Sequence, residues 1–163
     1  MEGMKLSRGP LIAITVLRVF VGWHFLYEGL TKLTAPSWSA AGYLKQARGP
    51  LAEQFRWLAT RPDMLANADL VTMWGLTLVG LFLILGLFTR LASLAGIGFI
   101  LLFYLATPPF IGYFYSIPSE GSYLIVNKNL VELCALVVIL VTRSGLFAGL
   151  DRIVHGLIAR RPT

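Results

Sequence analysis

The chain has 163 residues, of which 56% are hydrophobic and only 13% are charged. A soluble domain carries about a quarter charged residues, so this composition excludes an ordinary soluble enzyme and predicts an integral membrane protein in contact with lipid. The formal net charge is +6, but the basic residues flank apolar runs, so a nucleic-acid partner is not expected. The single cysteine, Cys134, excludes an internal disulfide and a thiolate metal site.

The first apolar run predicts a membrane span over residues 10–33. Pro10 suits the opening turn of a helix, because its missing amide proton is not needed there. A signal peptide is the alternative, since Lys5 and Arg8 precede the run. The run is longer than the about 7 to 15 apolar residues of such a peptide and carries ionisable residues, which favours a retained span.

Two further runs predict spans over residues 70–88 and 91–106, separated by a tight corner at Thr89 and Arg90. So short a connection makes the two spans an antiparallel helical hairpin. The proline pair at 108–109 ends the third span, because proline lacks the amide donor and disfavours helix in the preceding residue.

The last long apolar run, residues 130–141, is too short to cross a membrane alone, so the fourth span is predicted over residues 123–141. Residues 150–158 have a modest amphipathic pattern, which predicts a helix along the membrane surface. The whole chain, residues 1–163, is therefore predicted to be one all-α domain, an integral membrane four-helix bundle. The extension of the fourth span draws four polar residues into the membrane: Asn127, Lys128, Asn129 and Glu132.

The connection between the first two spans, residues 34–69, is long and repeatedly aromatic. Tryptophan and tyrosine favour the headgroup region, so this connection predicts a pair of interfacial helices that cap the bundle. A lid over a site between the helices is the alternative. The apolar residues that support both interpretations are Trp38, Tyr43, Leu44, Phe55, Trp57 and Leu58.

Orientation is predicted from the distribution of Lys and Arg. These residues are concentrated in the short segments at the N-terminus, the second connection and the tail. In the long connection they are spread over more chain and offset by acidic residues. Both termini are therefore predicted to lie on the cytoplasmic side of the inner membrane.

Ionisable residues lie along one face of the first span. His24, Glu28 and Lys32 are successive i, i+4 neighbours, and Arg18 falls within about 80° of Glu28 on the helical wheel. Ionisable groups at such depth cost about 2 to 3 kcal/mol each even on insertion scales, so they are expected to face the bundle interior and are functional candidates.

Relative depth on antiparallel helices predicts a buried ion pair between Arg18 and Glu132. This pair has a structural interpretation, in which it locks the first and fourth spans together. His24 and Glu28 lie in the outer half of the first span, opposite the polar start of the fourth, and predict a polar pocket open to the outer side. A satisfied interhelical hydrogen bond is the alternative for these two residues.

The candidate catalytic residues are therefore His24 and Glu28, which can exchange protons. A haem or metal cofactor is not expected, because the other histidine, His155, lies in the tail. The candidate cofactor-binding residues are Arg18, Lys32, Asn127, Lys128, Asn129 and Glu132.

Four segments carry a resemblance to a known family: LRVFVGWHFLYEGLTKL, GLFLILGLFTRLASLAG, NKNLVELCALVVIL and GLFAGLDRIV. With them the chain resembles the DoxX family of four-helix membrane proteins over nearly its whole length. The resemblance is closest to the DoxD branch, the membrane subunit of thiosulfate:quinone oxidoreductase. It covers Arg18, Gly22, Glu28, Gly29, Lys32, Thr89, Arg90, Asn127, Lys128, Asn129 and Glu132.

The resemblance implies a membrane component of a redox complex, which in the DoxD branch passes two electrons from thiosulfate to membrane quinone. Three functions follow for this chain. It is a subunit that binds quinone and works with an oxidoreductase partner, a noncatalytic anchor for a soluble oxidoreductase, or a transporter subunit for protons or small solutes. Assembly into a homo-oligomer is left open.

Overall fold

The computed structural model describes residues 7–116 and 124–159, and every element along these residues is a helix. The all-α fold class is thus confirmed. Three helices are long and apolar enough to cross a membrane, namely α1, α4 and α5. The helices are α1 (Arg8–Thr34), α2 (Ala41–Lys45), α3 (Ala52–Leu58), α4 (Pro62–Leu85), α5 (Thr89–Ala106), α6 (Lys128–Thr142), α7 (Gly145–Ala148) and α8 (Asp151–Ala159).

The bundle is a ring of α1, α4, α5 and α6, in which each helix packs against the next and α6 returns to α1. Chain direction alternates around the ring, as in an up-down-up-down bundle. Its centre is an apolar cluster drawn from all four helices: Val21, Phe25, Leu76, Val79, Leu83, Ala92, Ile100, Leu136 and Ile139.

Glycines allow α1 and α4 to approach closely. A Cβ atom built on Gly80 would lie 2.2 Å from the Leu26 nitrogen and 2.6 Å from the Gly22 oxygen. One built on Gly29 would lie 2.3 Å from the Thr77 hydroxyl oxygen. Small residues commonly permit such contact in membranes, where helices gain from van der Waals packing and not from exclusion of water.

Two helix starts differ from the predicted spans. Helix α4 begins at Pro62 and not at residue 70, because proline fits the first helical turn and Asp63 places a negative charge at the positive helix end. The corner between α4 and α5 also lies earlier than Thr89. Gly86 adopts a left-handed conformation with φ 65° and ends α4, so α5 starts at Thr89 itself.

The fourth bundle helix is shorter than predicted. Residue 123 lies outside the described residues, and residues 124–127 are not helical. The side chain of Asn127 accepts a hydrogen bond from the Leu130 amide at 3.1 Å and so caps α6 in front of Lys128. Asparagine is a favoured N-cap, because its side chain replaces a missing helical acceptor. Apolar run length carries no information about such a cap.

The long connection caps the end of α5. The amides of Arg48 and Gly49 both donate to the Ala106 carbonyl, at 3.0 and 3.3 Å. A Cβ atom on Gly49 would lie 1.6 Å from the Leu105 oxygen, so only glycine fits. This connection, which contains α2 and α3, is therefore held against the C-terminal end of α5.

Tyr43 adds a side-chain contact to this cap. Its hydroxyl group donates to the Phe103 carbonyl at 2.8 Å and lies 2.8 Å from the Thr107 hydroxyl oxygen. Burial raises the pKa of Tyr43 from 10.0 to about 12. The neutral phenol therefore stabilises the fold below pH 10, and this contribution is lost as pH rises from 10 to 12.

We expect Tyr43→Phe to remove this alkaline loss of stability. At neutral pH the variant should be less stable by about 1 to 3 kcal/mol, because buried partners lose a hydrogen bond. The measurement is the free energy of unfolding in detergent micelles from below pH 10 to pH 12. Tyr113→Phe, on the exposed loop after α5, is the control. Parallel pH curves for wild type and Tyr43→Phe would contradict the assignment.

Candidate functional site

A groove of about 500 Å³ lies between α1 and α6. Its walls are mostly apolar, and its polar groups come from one turn of α1 and the first two turns of α6 together with the cap. The lining residues are Leu17, Phe20, Val21, His24, Val126, Asn127, Lys128, Val131, Glu132 and Ala135. The long connection contributes none of them, so the lid interpretation does not apply to this groove.

The short α6 sets the position of the polar end. Because His24 contacts Glu132 on the antiparallel α6, Lys128 lies level with Glu28. Helix α1 continues past Glu28 to its C-terminal end at Thr34, about 9 Å farther at about 1.5 Å per residue. The N-terminus of α6 therefore does not reach the level of the C-terminal end of α1. The helix dipole at the start of α6 and the Lys128 side chain place positive charge beside the Glu132 carboxylate at the polar end of the groove.

The central polar contact joins α1 to α6. His24 Nδ1 lies 2.7 Å from Glu132 Oε1, and with an ionised carboxylate the ring nitrogen donates. The Glu132 side chain is only 9% exposed, whereas that of His24 is 40% exposed. A buried carboxylate holding a partly exposed imidazole fixes the ring orientation and presents its second nitrogen away from Glu132.

Glu28 and Lys32 follow His24 on α1, toward the C-terminal end of the helix. His24 Nε2 lies 4.0 Å from Glu28 Oε1. Glu28 Oε2 accepts a hydrogen bond from Lys32 Nζ, which also lies 5.7 Å from the centre of the Trp38 ring. Four ionisable side chains therefore form one line from the outer end of α1 to the groove.

The structure brings together most of the predicted pocket. His24, Lys128, Asn127 and Glu132 line the groove, and Glu28 lies beside His24. Three predicted binding residues stand apart from the lining: Lys32 pairs with Glu28, Arg18 donates to the Ala148 carbonyl, and Asn129 is absent from the groove walls. The roles of these residues in binding or catalysis remain predictions.

The predicted Arg18–Glu132 ion pair is wrong. Arg18 is 1% exposed, and its Nη2 donates to the Ala148 carbonyl at 2.5 Å. Glu132 pairs with His24, six residues or about 9 Å farther along α1. The error follows from the start of α6, since a helix from residue 123 would have placed Glu132 deeper. Arg18 therefore lies outside the candidate binding site.

Arg18 belongs instead to a group of contacts made by Arg18, Ala148 and Asp151 near the α4–α5 corner, which sequence reasoning did not find. We call this group the inner clamp, after the side of the membrane predicted for it. Asp151 accepts hydrogen bonds from the Phe88 amide at 2.6 Å and the Thr89 amide at 3.0 Å, at the start of α5. Leu150 donates to the Leu85 carbonyl at 3.1 Å. These hydrogen bonds hold α7 and α8 against the corner between α4 and α5. Two sequence features could have indicated the clamp: an arginine within the first apolar run and the glycine-containing segment GLFAGLD after the last one.

The groove combines an apolar wall, the hydrogen-bonded pair of His24 and Glu132, and the N-terminal end of α6. These features suit a mostly apolar ligand with polar acceptor atoms at one end. Across residues 7–116 and 124–159, no three His, Cys, Asp or Glu side chains come together in a way that would hold a metal ion.

Comparison with known proteins gives one match. The family model for DoxX matches residues 13–108, from the first turns of α1 to just past α5. No curated protein and no solved structure matches the chain. The matched region covers more than half of the 163 residues. This protein therefore belongs to the DoxX family of membrane proteins.

Proposed function

We propose that this DoxX protein is the membrane subunit of a quinone-linked oxidoreductase complex and that the α1–α6 groove binds the quinone head group. The observation that carries the proposal is an apolar groove with all its ionisable groups at one end. Similarity to the DoxD branch supports the same function, with electrons supplied by an oxidoreductase partner. A bound quinone accepts two electrons and two protons.

The residues of the groove fit such a ligand. Its volume of about 500 Å³ lies within the range of about 300 to 1,000 Å³ typical of small-molecule sites. Lys128 and the His24 ring can donate hydrogen bonds to carbonyl oxygens, and Glu132 keeps the ring in place. Leu17 and Phe20 extend the groove with apolar surface toward the inner side, where an isoprenoid tail would lie.

The proposed setting is the inner membrane, with both termini cytoplasmic. The Lys and Arg distribution supports this orientation, because short segments with dense basic residues stay on the cytoplasmic side. The polar end of the groove then faces the outer side. A ligand head group there would lie in the outer half of the bilayer.

Quinone binding is expected to depend on His24. In lipid nanodiscs, His24→Leu should weaken binding of decylubiquinone at least about ten-fold, as loss of a hydrogen bond to a charged group costs about 1.5 to 3 kcal/mol. Binding is measured by titration of the intrinsic tryptophan fluorescence. The matched control is His155→Leu, which removes an exposed histidine from α8, remote from the groove residues. Equal affinities of both variants and wild type would contradict the proposal.

A noncatalytic anchor for a soluble oxidoreductase is the second candidate. The ionisable groups pair with each other, Lys32 with Glu28 and His24 with Glu132. Such pairing is also expected if these residues only stabilise the bundle, which supports the anchor. If wild-type protein binds no decylubiquinone while a soluble oxidoreductase subunit copurifies equally with wild type and His24→Leu, the anchor replaces the quinone site.

A further inference from the structure

The line of ionisable side chains from Lys32 to Glu132 is partly exposed at Glu28 and buried at Glu132. We propose that Glu28, His24 and Glu132 form a proton relay between the outer membrane surface and the floor of the groove, with Lys32 holding Glu28 at the outer end of the relay. The relay rests on the proposed function, because it would supply or remove protons at the quinone head group. It adds the route and the side of the membrane.

The outer half of the relay follows successive turns of α1. His24, Glu28 and Lys32 are four residues apart, so each step rises about 6 Å. Lys32 Nζ donates to Glu28 Oε2 and, at 3.1 Å, to the Glu28 carbonyl. Trp38 of the outer connection lies beside Lys32. Glu28 is thus held near the outer interface, and its side chain is 43% exposed.

His24 is the two-sided element of the relay. Its Nδ1 faces Glu132 at 2.7 Å and its Nε2 faces Glu28 at 4.0 Å. The second distance is too long for a hydrogen bond and must shorten by about 1 Å for proton transfer. Transfer therefore requires rotation of the His24 and Glu28 side chains, which are 40% and 43% exposed. Histidine suits this position, because each ring nitrogen can carry the proton.

Each transfer balances in protons and needs no electron. A protonated Glu28 loses its O–H bond as the Nε2–H bond of His24 forms. The Nδ1–H bond then breaks as Glu132 gains the proton at Oε1. Rotation of the neutral ring returns the proton from Nε2 to the side of Glu132. The charged groups that face His24 are Glu28 on its own helix and Glu132 and Lys128 on α6.

The inner end of the line is closed. The residues that continue the groove past His24 are Val21, Phe20 and Leu17, and none can carry a proton. Arg18, the next ionisable group on α1, donates to the Ala148 carbonyl in the inner clamp. Within residues 7–116 and 124–159, the relay therefore connects Glu132 with the outer side alone.

The test follows protonation of Glu132 after a pH jump. The protein is reconstituted without quinone at one copy per liposome, with Ser39→Cys as its single cysteine in a Cys134→Ala background. Biotin maleimide labels this cysteine only where it faces the outside of the liposome. Capture of the biotin then selects liposomes in which the protein has one known orientation. The infrared carboxyl band that Glu132→Gln abolishes is then recorded over time. We expect this band to follow a jump at the outer face and to ignore an equal jump at the inner face.

Two variants interrupt the relay at different atoms. Glu28→Gln removes the proton acceptor, and His24→Asn keeps a donor near Glu132 but lacks the second ring nitrogen. Each should slow the Glu132 response at least ten-fold with unchanged final amplitude, whereas Glu28→Asp restores most of the rate. Glu53→Gln, on the exposed side of α3, is the matched control. If Glu28→Gln does not insert, His24→Asn carries the test alone.

Two outcomes would overturn the relay: rates in Glu28→Gln and His24→Asn equal to that of Glu53→Gln, or a Glu132 band that follows the inner pH. Failure of the relay and failure of the quinone site are distinguishable. The relay is recorded without quinone, whereas the quinone site is tested separately by the affinities of wild type, His24→Leu and His155→Leu for decylubiquinone.

Discussion

Gly80→Ala is expected to separate α1 from α4 and to lower the free energy of unfolding by about 3 kcal/mol or more. The added methyl group would meet the Leu26 nitrogen at 2.2 Å and the Gly22 oxygen at 2.6 Å. Both are backbone atoms of α1, so no side-chain rotation relieves the contact. The helices must move apart along their whole interface. Thermal unfolding in detergent micelles measures the loss.

Gly98→Ala is the matched control for this change. Gly98 also lies within a membrane helix, α5, but nothing lies within 4 Å of its added Cβ atom. Alanine favours helix over glycine by up to about 1 kcal/mol, so this variant should be as stable as wild type or slightly more stable. Similar losses for both variants would show that α1 and α4 are not in the close contact described.

Asp151→Ala is expected to destabilise the inner clamp by about 3 kcal/mol, because two hydrogen bonds to a charged group are lost. The carboxylate accepts from the Phe88 and Thr89 amides at the start of α5, and its negative charge acts favourably on the buried Arg18 guanidinium. Among the described residues, Arg18 Nε and Nη1 find no hydrogen-bond acceptor. Loss of Asp151 would leave this guanidinium charge without compensation.

A double-mutant cycle separates the charge effect from the capping effect. Arg18→Leu should cost several kcal/mol in wild type but markedly less in the Asp151→Ala background, because the uncompensated charge is then removed. The free energy of unfolding of all four proteins is measured in the same detergent. Strictly additive losses would mean that Asp151 acts only as a cap on α5. Asp63→Ala, in the first turn of α4, is the control for loss of an exposed helix-end carboxylate.

Much of the bundle follows from hydropathy and periodicity. The run that became α1 and the i, i+4 spacing of His24, Glu28 and Lys32 are local properties, and the structure places these residues in one line. The partner of Arg18 is not a local property. It depends on the register between α1 and α6, which the Asn127 cap sets by starting α6 at Lys128.

The inner clamp illustrates the same limit. Asp151 comes after the last predicted span, where hydropathy indicates only a surface helix. Its function as a cap depends on Gly86 and Gly149, which let two backbone segments meet; a Cβ on Gly149 would lie 2.7 Å from the Gly86 oxygen. Contacts between segments so far apart in sequence follow from the assembled bundle and not from the pattern of either segment.

The groove between α1 and α6 is open sideways, since two of its wall residues, Phe20 and Val131, are also largely exposed on the bundle surface. In a bilayer this surface contacts acyl chains. A ligand with a long hydrocarbon tail would then arrive by lateral diffusion within the membrane, and its occupancy would depend on its mole fraction among the lipids. Dilution of the vesicles with buffer should leave occupancy unchanged, whereas addition of ligand-free lipid should lower it.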